Sequence, residues 1–121
     1  MGVDAVFAIH GDIQHNLMRV EMSGFFDEAD VHRFSARYRE MLLKLRAPGH
    51  LTLVDIRNMK IQPQAVVEAF SSLLASADVR SRRLAFVCNS TLARLQAQRL
   101  TDREGVKFFD NEADAETWIL E

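Results

Sequence analysis

The chain has 121 residues, of which 48% are hydrophobic and 26% are charged, and its 15 basic and 17 acidic residues give a net charge of -2. This length supports one domain over residues 1–121, because two domains would each have too little apolar material for a core. The charge balance gives no general attraction for nucleic acid or anionic lipid. The N-terminus has no basic stretch and no apolar run approaches the ~18 residues of a membrane span. We therefore predict a cytoplasmic protein that neither binds nucleic acid nor inserts into a membrane, and the single cysteine, Cys88, agrees with a reducing compartment.

The first predicted elements are a β-hairpin and a long helix. Residues 7–10 are apolar, residues 11–16 are polar and turn-prone, and residues 17–23 alternate polar with apolar side chains, which is typical of a strand with one solvated face. Asp27 is placed to cap the helix that follows. Pro48 and Gly49 are expected to end it. Apolar residues at helical spacing predict its core-facing stripe: Val31, Phe34, Tyr38, Met41 and Leu45.

Two β-α units come next. An apolar strand over 51–57 leads to a helix over 63–77, with Pro63 in its first turn. The strand at 84–87 and the helix at 92–100 repeat the pattern, with Ser90 or Thr91 as the helix cap. The buried side chains predicted for these two helices are Val66, Val67, Phe70, Leu73, Leu74 and Ala77 in the first, and Leu92, Leu95 and Leu100 in the second.

A last strand at 106–109 and a helix at 113–120 complete the chain, with Asn111 as the helix cap and with Trp118 and Ile119 as anchors onto the sheet. The unbroken apolarity of residues 51–54 and 84–87 indicates strands that are covered on both faces. The sequence therefore predicts an α/β fold with a single mixed β-sheet of about five strands and four helices.

Candidate binding residues follow two of the predicted strands, because ligands of an open α/β sheet collect beyond the carboxyl ends of its strands. Hydroxyls and free amides at the start of the third helix suit an anion. The apolar residues in the polar turn after residue 58 suit either contact with a partner or a plug beneath the loop. The simpler interpretation is that Ser90 only caps a helix and Asp55 only orders a turn. The candidates are Asp55, Arg57, Asn58, Met59, Ile61, Asn89, Ser90 and Thr91.

Motifs for catalysis and for metal binding are absent from the sequence. The four histidines have no metal-ligand spacing, and there is no phosphate loop, dinucleotide-binding fingerprint or nucleophile elbow. Cys88 ends an apolar run, so we interpret it as an inert buried thiol. Seven basic residues lie in residues 80–107 without interleaved aromatics, which favours a solvated surface, paired with the acids of residues 110–121, over a nucleic-acid site. We predict no metal, no cofactor and no catalytic residue.

Five short motifs resemble those of the STAS superfamily, the fold of the anti-sigma-factor antagonists. The resemblance is to its SpoIIAA-like branch, which consists of small uncharacterised bacterial proteins. The resemblance covers nearly the whole chain and implies the order β-β-α-β-α-β-α-β-α. The motifs are MSGFFD at 22–27, LVDIRN at 53–58, RLAFV at 83–87, LQAQRL at 95–100 and FDNEA at 109–113, the last leading to Trp118.

The resemblance also implies a function. Partner-switching antagonists carry a Ser, phosphorylated by a kinase, at the start of the helix after the strand that ends in Asp. The aligned residues here are Pro63 and Gln64, which cannot be phosphorylated in that way, and Ser71 and Ser72 fall inside the helix and do not correspond. We expect a non-enzymatic binding module without this switch.

Its expected partner is an unknown protein or a small apolar or anionic molecule, and the branch is also similar in shape to CRAL-TRIO-type carriers of apolar ligands. The alternatives are a regulatory protein of the anti-sigma-factor-antagonist type and an enzyme that uses Asp55, Arg57 or Cys88. The exposed edge of the hairpin would allow another copy of the chain to pair with it, so a homodimer is one possible assembly, and the sequence does not fix the stoichiometry.

Overall fold

A five-stranded mixed sheet with four helices forms the protein, which a computed structural model describes over residues 4–101 and 103–121. Residues 1–3, which bear on the predicted lack of an export signal, and Asp102 lie outside the description. The strands are β1 (Val6–Asp12), β2 (Leu17–Gly24), β3 (Leu51–Met59), β4 (Arg83–Val87) and β5 (Val106–Phe109), and the helices are α1 (Glu28–Leu42), α2 (Gln64–Ala75), α3 (Thr91–Leu100) and α4 (Glu112–Ile119). The predicted fold class is confirmed.

The strands lie in sequence order across the sheet, and only the β1–β2 pair is antiparallel. Parallel crossovers are almost always right-handed, so strands added in one direction receive their crossover helices on one face. The larger core confirms this arrangement, because it joins buried residues of α1, α2 and α3 to one face of the sheet. Helix α4 follows the last strand and packs on the opposite face, where it buries Ala115 and Ile119 against Leu17, Leu53 and Val87.

Side-chain caps begin three of the helices as predicted. Asp27 accepts a 2.8 Å hydrogen bond from the Asp30 amide, and Asn111 accepts one of 2.8 Å from the Asp114 amide. Ser90, not Thr91, caps α3, since its hydroxyl accepts from the Ala93 amide at 3.1 Å. Each cap satisfies an amide that the first turn leaves free.

Two predicted helix ends are wrong. Helix α1 ends at Leu42, before Pro48 and Gly49, because hydrogen bonds from the Lys44 amide to Met41 and from the Leu45 amide to Leu42 carry the chain through tighter turns. Ala77 lies beyond the end of α2 and is exposed instead of buried.

A buried polar cluster lies where β3 and β4 begin. The Tyr38 hydroxyl is 2.9 Å from His50 Nε2 and 2.7 Å from Thr52 Oγ1, and Thr52 Oγ1 is 2.5 Å from Ser81 Oγ. His50 is fully buried, and burial lowers the pKa of its imidazole. Its Nδ1 has no hydrogen-bond partner among the described residues. The cluster connects α1 to the sheet through neutral groups.

None of the helices in the described part of the chain is long and apolar enough to cross a membrane.

Candidate functional site

The sheet divides the residues predicted to form one site. Along β3, Val54 and Ile56 face the core beneath α1, α2 and α3, while Leu53 faces α4. Successive side chains of a strand point to opposite faces, so Asp55 and Arg57 belong to the α4 side. Met59 instead packs against the larger core. The predicted site is therefore two separate places.

On the α4 side, Asp55 and Arg57 form a closed ion pair. Arg57 Nε donates to Asp55 Oδ1 at 3.0 Å and its NH2 group donates to Oδ2 at 2.7 Å. Burial opposes ionisation of Asp55, but the hydrogen bonds from Arg57 outweigh burial and lower the pKa of the carboxyl. Together with Asn58 the pair lines a cleft of about 330 Å³ beside the start of β1. A carboxylate held ionised in this way is a poor proton acceptor near neutral pH.

The same face carries the acids of the C-terminal helix. Glu116 lies 3.2 Å from Arg19, and Glu112 lies 3.7 Å from Arg57. The arginines that neutralise α4 therefore come from β2 and β3. The predicted pairing of residues 110–121 with the basic stretch at 80–107 takes a different form: Arg83 donates to the Trp118 carbonyl at 2.9 Å, and its guanidinium stacks on the Trp118 ring.

On the opposite face, Met59 and Ile61 lie at the mouth of an apolar cavity. Its volume is about 70 Å³. Residues from the sheet, α2 and α3 line it, including Phe70, Ala93 and Ala97. Tyr38, Thr52 and Ser81 of the buried polar cluster also line it.

The core-facing side of helix α3 was predicted only in part, since Arg94, Gln98 and Arg99 are exposed as expected but two leucines are not buried. Leu92 is 67% exposed and Leu95 is 51% exposed, so the expectation that they face inward is wrong. Ala97 is buried and Leu100 is partly buried against the core, as predicted for Leu100. The sequence carries two helical stripes, and the inward one is Ala93, Gln96, Ala97 and Leu100.

A reciprocal pair of hydrogen bonds explains why the second stripe turns inward. The Gln62 amide donates to Gln96 Oε1 at 3.2 Å, and Gln96 Nε2 donates to the Gln62 carbonyl at 3.2 Å. The buried Gln62 side chain also accepts from the Phe26 amide at 2.7 Å. Turning Gln96 outward would leave partly buried backbone groups of the turn unpaired, which costs about 1–3 kcal/mol for each group.

The same bonds bring the turn after β3 against α3. Ile61, 49% exposed, lines the cavity with Ala93 and Gln96, the sequence neighbours of Leu92 and Leu95. We call Ile61, Leu92 and Leu95 the α3 surface. Lys60, Arg94 and Arg99 are the basic residues of the turn and of α3, and all three side chains are exposed.

The remaining predicted residues lie at helix starts. Asn89 and Ser90 precede α3 and Thr91 begins it; all three are exposed, and the Ser90 hydroxyl already accepts a hydrogen bond from the Ala93 amide. The start of α2 differs, because Pro63 is its N-cap residue and makes no side-chain cap. Neither arrangement alone makes an anion site.

Cys88 is buried, as interpreted from the sequence. Burial raises the pKa of its thiol, and the nearby Arg94 only partly opposes this effect. The thiol therefore stays protonated at neutral pH, which does not suit a nucleophile. Within residues 4–101 and 103–121, no three His, Cys, Asp or Glu side chains come together to hold a metal ion.

The arrangement is that of a small α/β domain in which an antiparallel hairpin opens a parallel sheet. The chain belongs to the SpoIIAA-like family, whose model matches residues 17–120. This confirms the resemblance inferred from the sequence motifs. No curated protein matches the chain.

Two solved structures share the fold. An uncharacterised protein of the DUF3478 family with a SpoIIAA-like fold, from Shewanella loihica PV-4, superposes with a TM-score of 0.71 at 18% identity, covering 98% of both chains. An anti-sigma factor antagonist from Mycobacterium paratuberculosis superposes with a TM-score of 0.68 at 9% identity, covering 98% of this chain and 96% of that one. At these identities the likeness concerns the fold.

Sequence reasoning missed Leu92 and Leu95 as surface residues, and it missed Gln62 and Gln96 as the residues that orient them. A signal was present in the Ala93–Gln96–Ala97–Leu100 stripe, which has the i, i+3, i+4, i+7 spacing of a core-facing helix side. Choosing between the two stripes requires knowing that the backbone of Gln62, in the neighbouring turn, forms hydrogen bonds with a side chain of α3.

Proposed function

We propose that this chain is a non-enzymatic binding module that docks a protein partner on the α3 surface. The observation that carries the proposal is the exposure of three large apolar side chains, at 67%, 51% and 49%, on one turn and one helix. Grouped apolar side chains with a polar rim are the usual mark of an interaction site. Asn89, Ser90 and Thr91 at the start of α3 would contribute to the rim.

The cavity favours a protein partner over a carried small molecule. Its volume of about 70 Å³ is half of the roughly 150 Å³ that holds a benzene molecule. Sites for drug-sized ligands occupy roughly 300–1,000 Å³. A bound apolar ligand would therefore require α2 and α3 to move apart, whereas a protein partner needs no rearrangement of the core.

The titrating groups at the predicted site support a non-enzymatic role. Asp55 is held ionised by Arg57, and the Cys88 thiol is buried with a raised pKa. A general base works best with a pKa near the operating pH, and a thiol nucleophile needs a lowered pKa. Both groups are shifted in the unfavourable direction.

Similarity to an anti-sigma factor antagonist supports a protein partner and a regulatory role in a bacterial cytoplasm. Phosphorylation at the start of α2 is not part of this proposal, because Pro63 and Gln64 stand there. Ser71 donates to the Leu100 carbonyl at 3.3 Å and is partly buried, so it is a poor substitute. We therefore expect docking not to depend on phosphorylation at the start of α2.

Site-specific photocrosslinking tests the proposal. A photoreactive amino acid replaces Leu92 in one variant and Leu43 in a matched control. Leu43 is also exposed, at 86%, but it lies at the end of α1, at the edge of the sheet where the parallel strands begin. In the native bacterial host, position 92 should yield a discrete crosslinked protein that position 43 does not. Crosslinks of equal yield at both positions, or none at position 92, would contradict it. Native mass spectrometry provides the second arm, since a retained small molecule would favour a carrier.

A further inference from the structure

The segments that carry the α3 surface have a net positive charge, whereas the rest of the chain has a net negative charge. Residues 59–67 and 89–101, which contain the turn, the start of α2 and the whole of α3, hold three basic residues and no acid. The rest of the chain holds twelve basic residues and 17 acids. The apolar side chains thus lie in segments that carry basic residues and no acid, in a chain whose net charge is -2.

The three basic residues lie in the same turn and helix as the apolar ones. Arg99 follows Leu95 by one helical turn, so the two side chains are neighbours on the outward face. Lys60 directly precedes Ile61. Arg94 is held over the Phe108 ring, with its guanidinium carbon 5.8 Å from the ring centroid. Among the ion pairs of residues 4–101 and 103–121, none involves Lys60, Arg94 or Arg99.

We propose that the partner is a protein segment that presents apolar side chains flanked by carboxylates, and that Lys60, Arg94 and Arg99 select it by charge. This inference rests on the proposed docking function. Complementary charges around an apolar centre raise the rate of association and exclude partners of the wrong sign. Guanidinium groups also pair carboxylates in a bidentate geometry, which adds specificity.

Protein is the better occupant than an anionic bilayer. Helix α3 has ten residues, about 15 Å in length, and its outward face includes Gln98 as well as the leucines. A bilayer is wider than this patch and would also meet other parts of the molecule, whose residues include 17 acids and twelve bases. A protein segment can contact the patch alone.

The test uses a phage library of random 16-residue peptides, selected on the full-length chain. Binders that also bind the Leu92→Ser, Leu95→Ser variant are removed by counter-selection. Affinities of the recovered peptides are then measured by fluorescence anisotropy against the native chain, a Lys60→Glu, Arg99→Glu variant and an Arg37→Glu control. Arg37 is an exposed arginine on α1, away from the α3 surface. The charge-reversed variant leaves the Arg94–Phe108 contact in place, and circular dichroism checks that each variant is folded.

The recovered peptides should carry a net negative charge around apolar residues. Their affinity should fall at least tenfold on Lys60→Glu, Arg99→Glu, should recover when peptide acids are exchanged for Lys, and should not change on Arg37→Glu. Leucine-dependent peptides that are neutral or basic, or that tolerate the charge reversal, would overturn the partner chemistry and leave the docking surface standing. Recovery of no leucine-dependent peptide would count against the docking surface itself. Sedimentation with phosphatidylglycerol vesicles that is lost in Leu92→Ser, Leu95→Ser would overturn the inference in favour of a membrane.

Discussion

Removing the Tyr38 hydroxyl should destabilise the fold by about 2 kcal/mol. Tyr38 is 4% exposed, and its hydroxyl contacts His50 Nε2 at 2.9 Å and Thr52 Oγ1 at 2.7 Å. Tyr38→Phe deletes one oxygen and keeps the ring, so packing against Phe34 is retained. The variant therefore isolates the hydrogen bonds from the apolar contacts.

The magnitude follows from what each partner keeps. Thr52 retains its 2.5 Å contact with Ser81, whereas His50 Nε2 keeps only a 3.4 Å contact with the Ser81 hydroxyl. Each lost hydrogen bond contributes about 1 kcal/mol, and a buried group left unpaired costs about 1–3 kcal/mol. Since His50 Nδ1 already lacks a partner among the described residues, the ring would become nearly unpaired. A loss of about 2 kcal/mol corresponds to roughly 8 °C in melting temperature for a domain of this length.

Urea unfolding monitored by circular dichroism measures the change, with an unchanged m-value as the check that both states keep their compactness. Ser76→Ala is the matched control, because it removes a hydroxyl that bonds the Ser72 carbonyl at the surface, and it should cost under about 0.5 kcal/mol. A double-mutant cycle with Thr52→Val should give a coupling of about 0.5–3 kcal/mol. If Tyr38→Phe costs no more than Ser76→Ala, or the coupling is zero, the buried cluster does not hold α1 to the sheet.

Three further predictions concern pH, a turn and the α3 surface. Burial lowers the pKa of His50 in the folded state, so below about pH 6.5 the unfolded chain binds a proton that the folded chain does not. The free energy of unfolding should therefore fall with decreasing pH, by up to about 1.4 kcal/mol per pH unit, until the lowered pKa of His50 is passed. His50→Gln should flatten this slope in urea titrations between pH 7.5 and 5.5. An equal slope in the variant would contradict the prediction. Gly105→Ala should destabilise the fold more than Gly49→Ala in the same assay. Both glycines have positive φ, but only at Gly105 would an added Cβ come within 2.8 Å of the Arg82 carbonyl oxygen. Equal losses would show that the backbone around Arg82 shifts to remove this contact at no cost. Leu92→Ala should change stability by less than about 0.5 kcal/mol, whereas buried Leu73→Ala should cost about 2–5 kcal/mol; a comparable loss at position 92 would mean that Leu92 packs inside.

Much of the local structure followed from local chemistry. Asp27 and Asn111 were predicted as caps because a side-chain oxygen at a helix start has few other uses, and both make the expected bonds. The strands at 51–54 and 84–87 were predicted as doubly covered, and residues of β3 and β4 do reach both cores. The order of strands and helices predicted from the sequence agrees with the fold of the family it resembles, and the element order of the structure confirms it.

The candidate site was harder to predict. Asp55 and Met59 are four residues apart and were grouped by proximity in the chain. In the structure, the cleft beside Asp55 is lined by β1, β2 and β3, whereas the cavity beside Met59 extends to residues of α1, α2 and α3, because β3 sends its side chains to both faces. Closeness in sequence after a strand therefore did not mean closeness in space.

The sequence by itself determined which segments become strands and helices, because cap residues, turn residues and the period of apolar side chains act over a few neighbouring residues. It also determined the charge of α3, which contains two arginines and no acid. Only the tertiary structure decided which stripe of α3 faces the core. Both stripes satisfy the helical period, and the choice depends on Gln96 meeting the backbone of Gln62, thirty-four residues away in the chain. A long-range bond between polar groups thus turned two leucines outward and created the surface on which the proposed function rests.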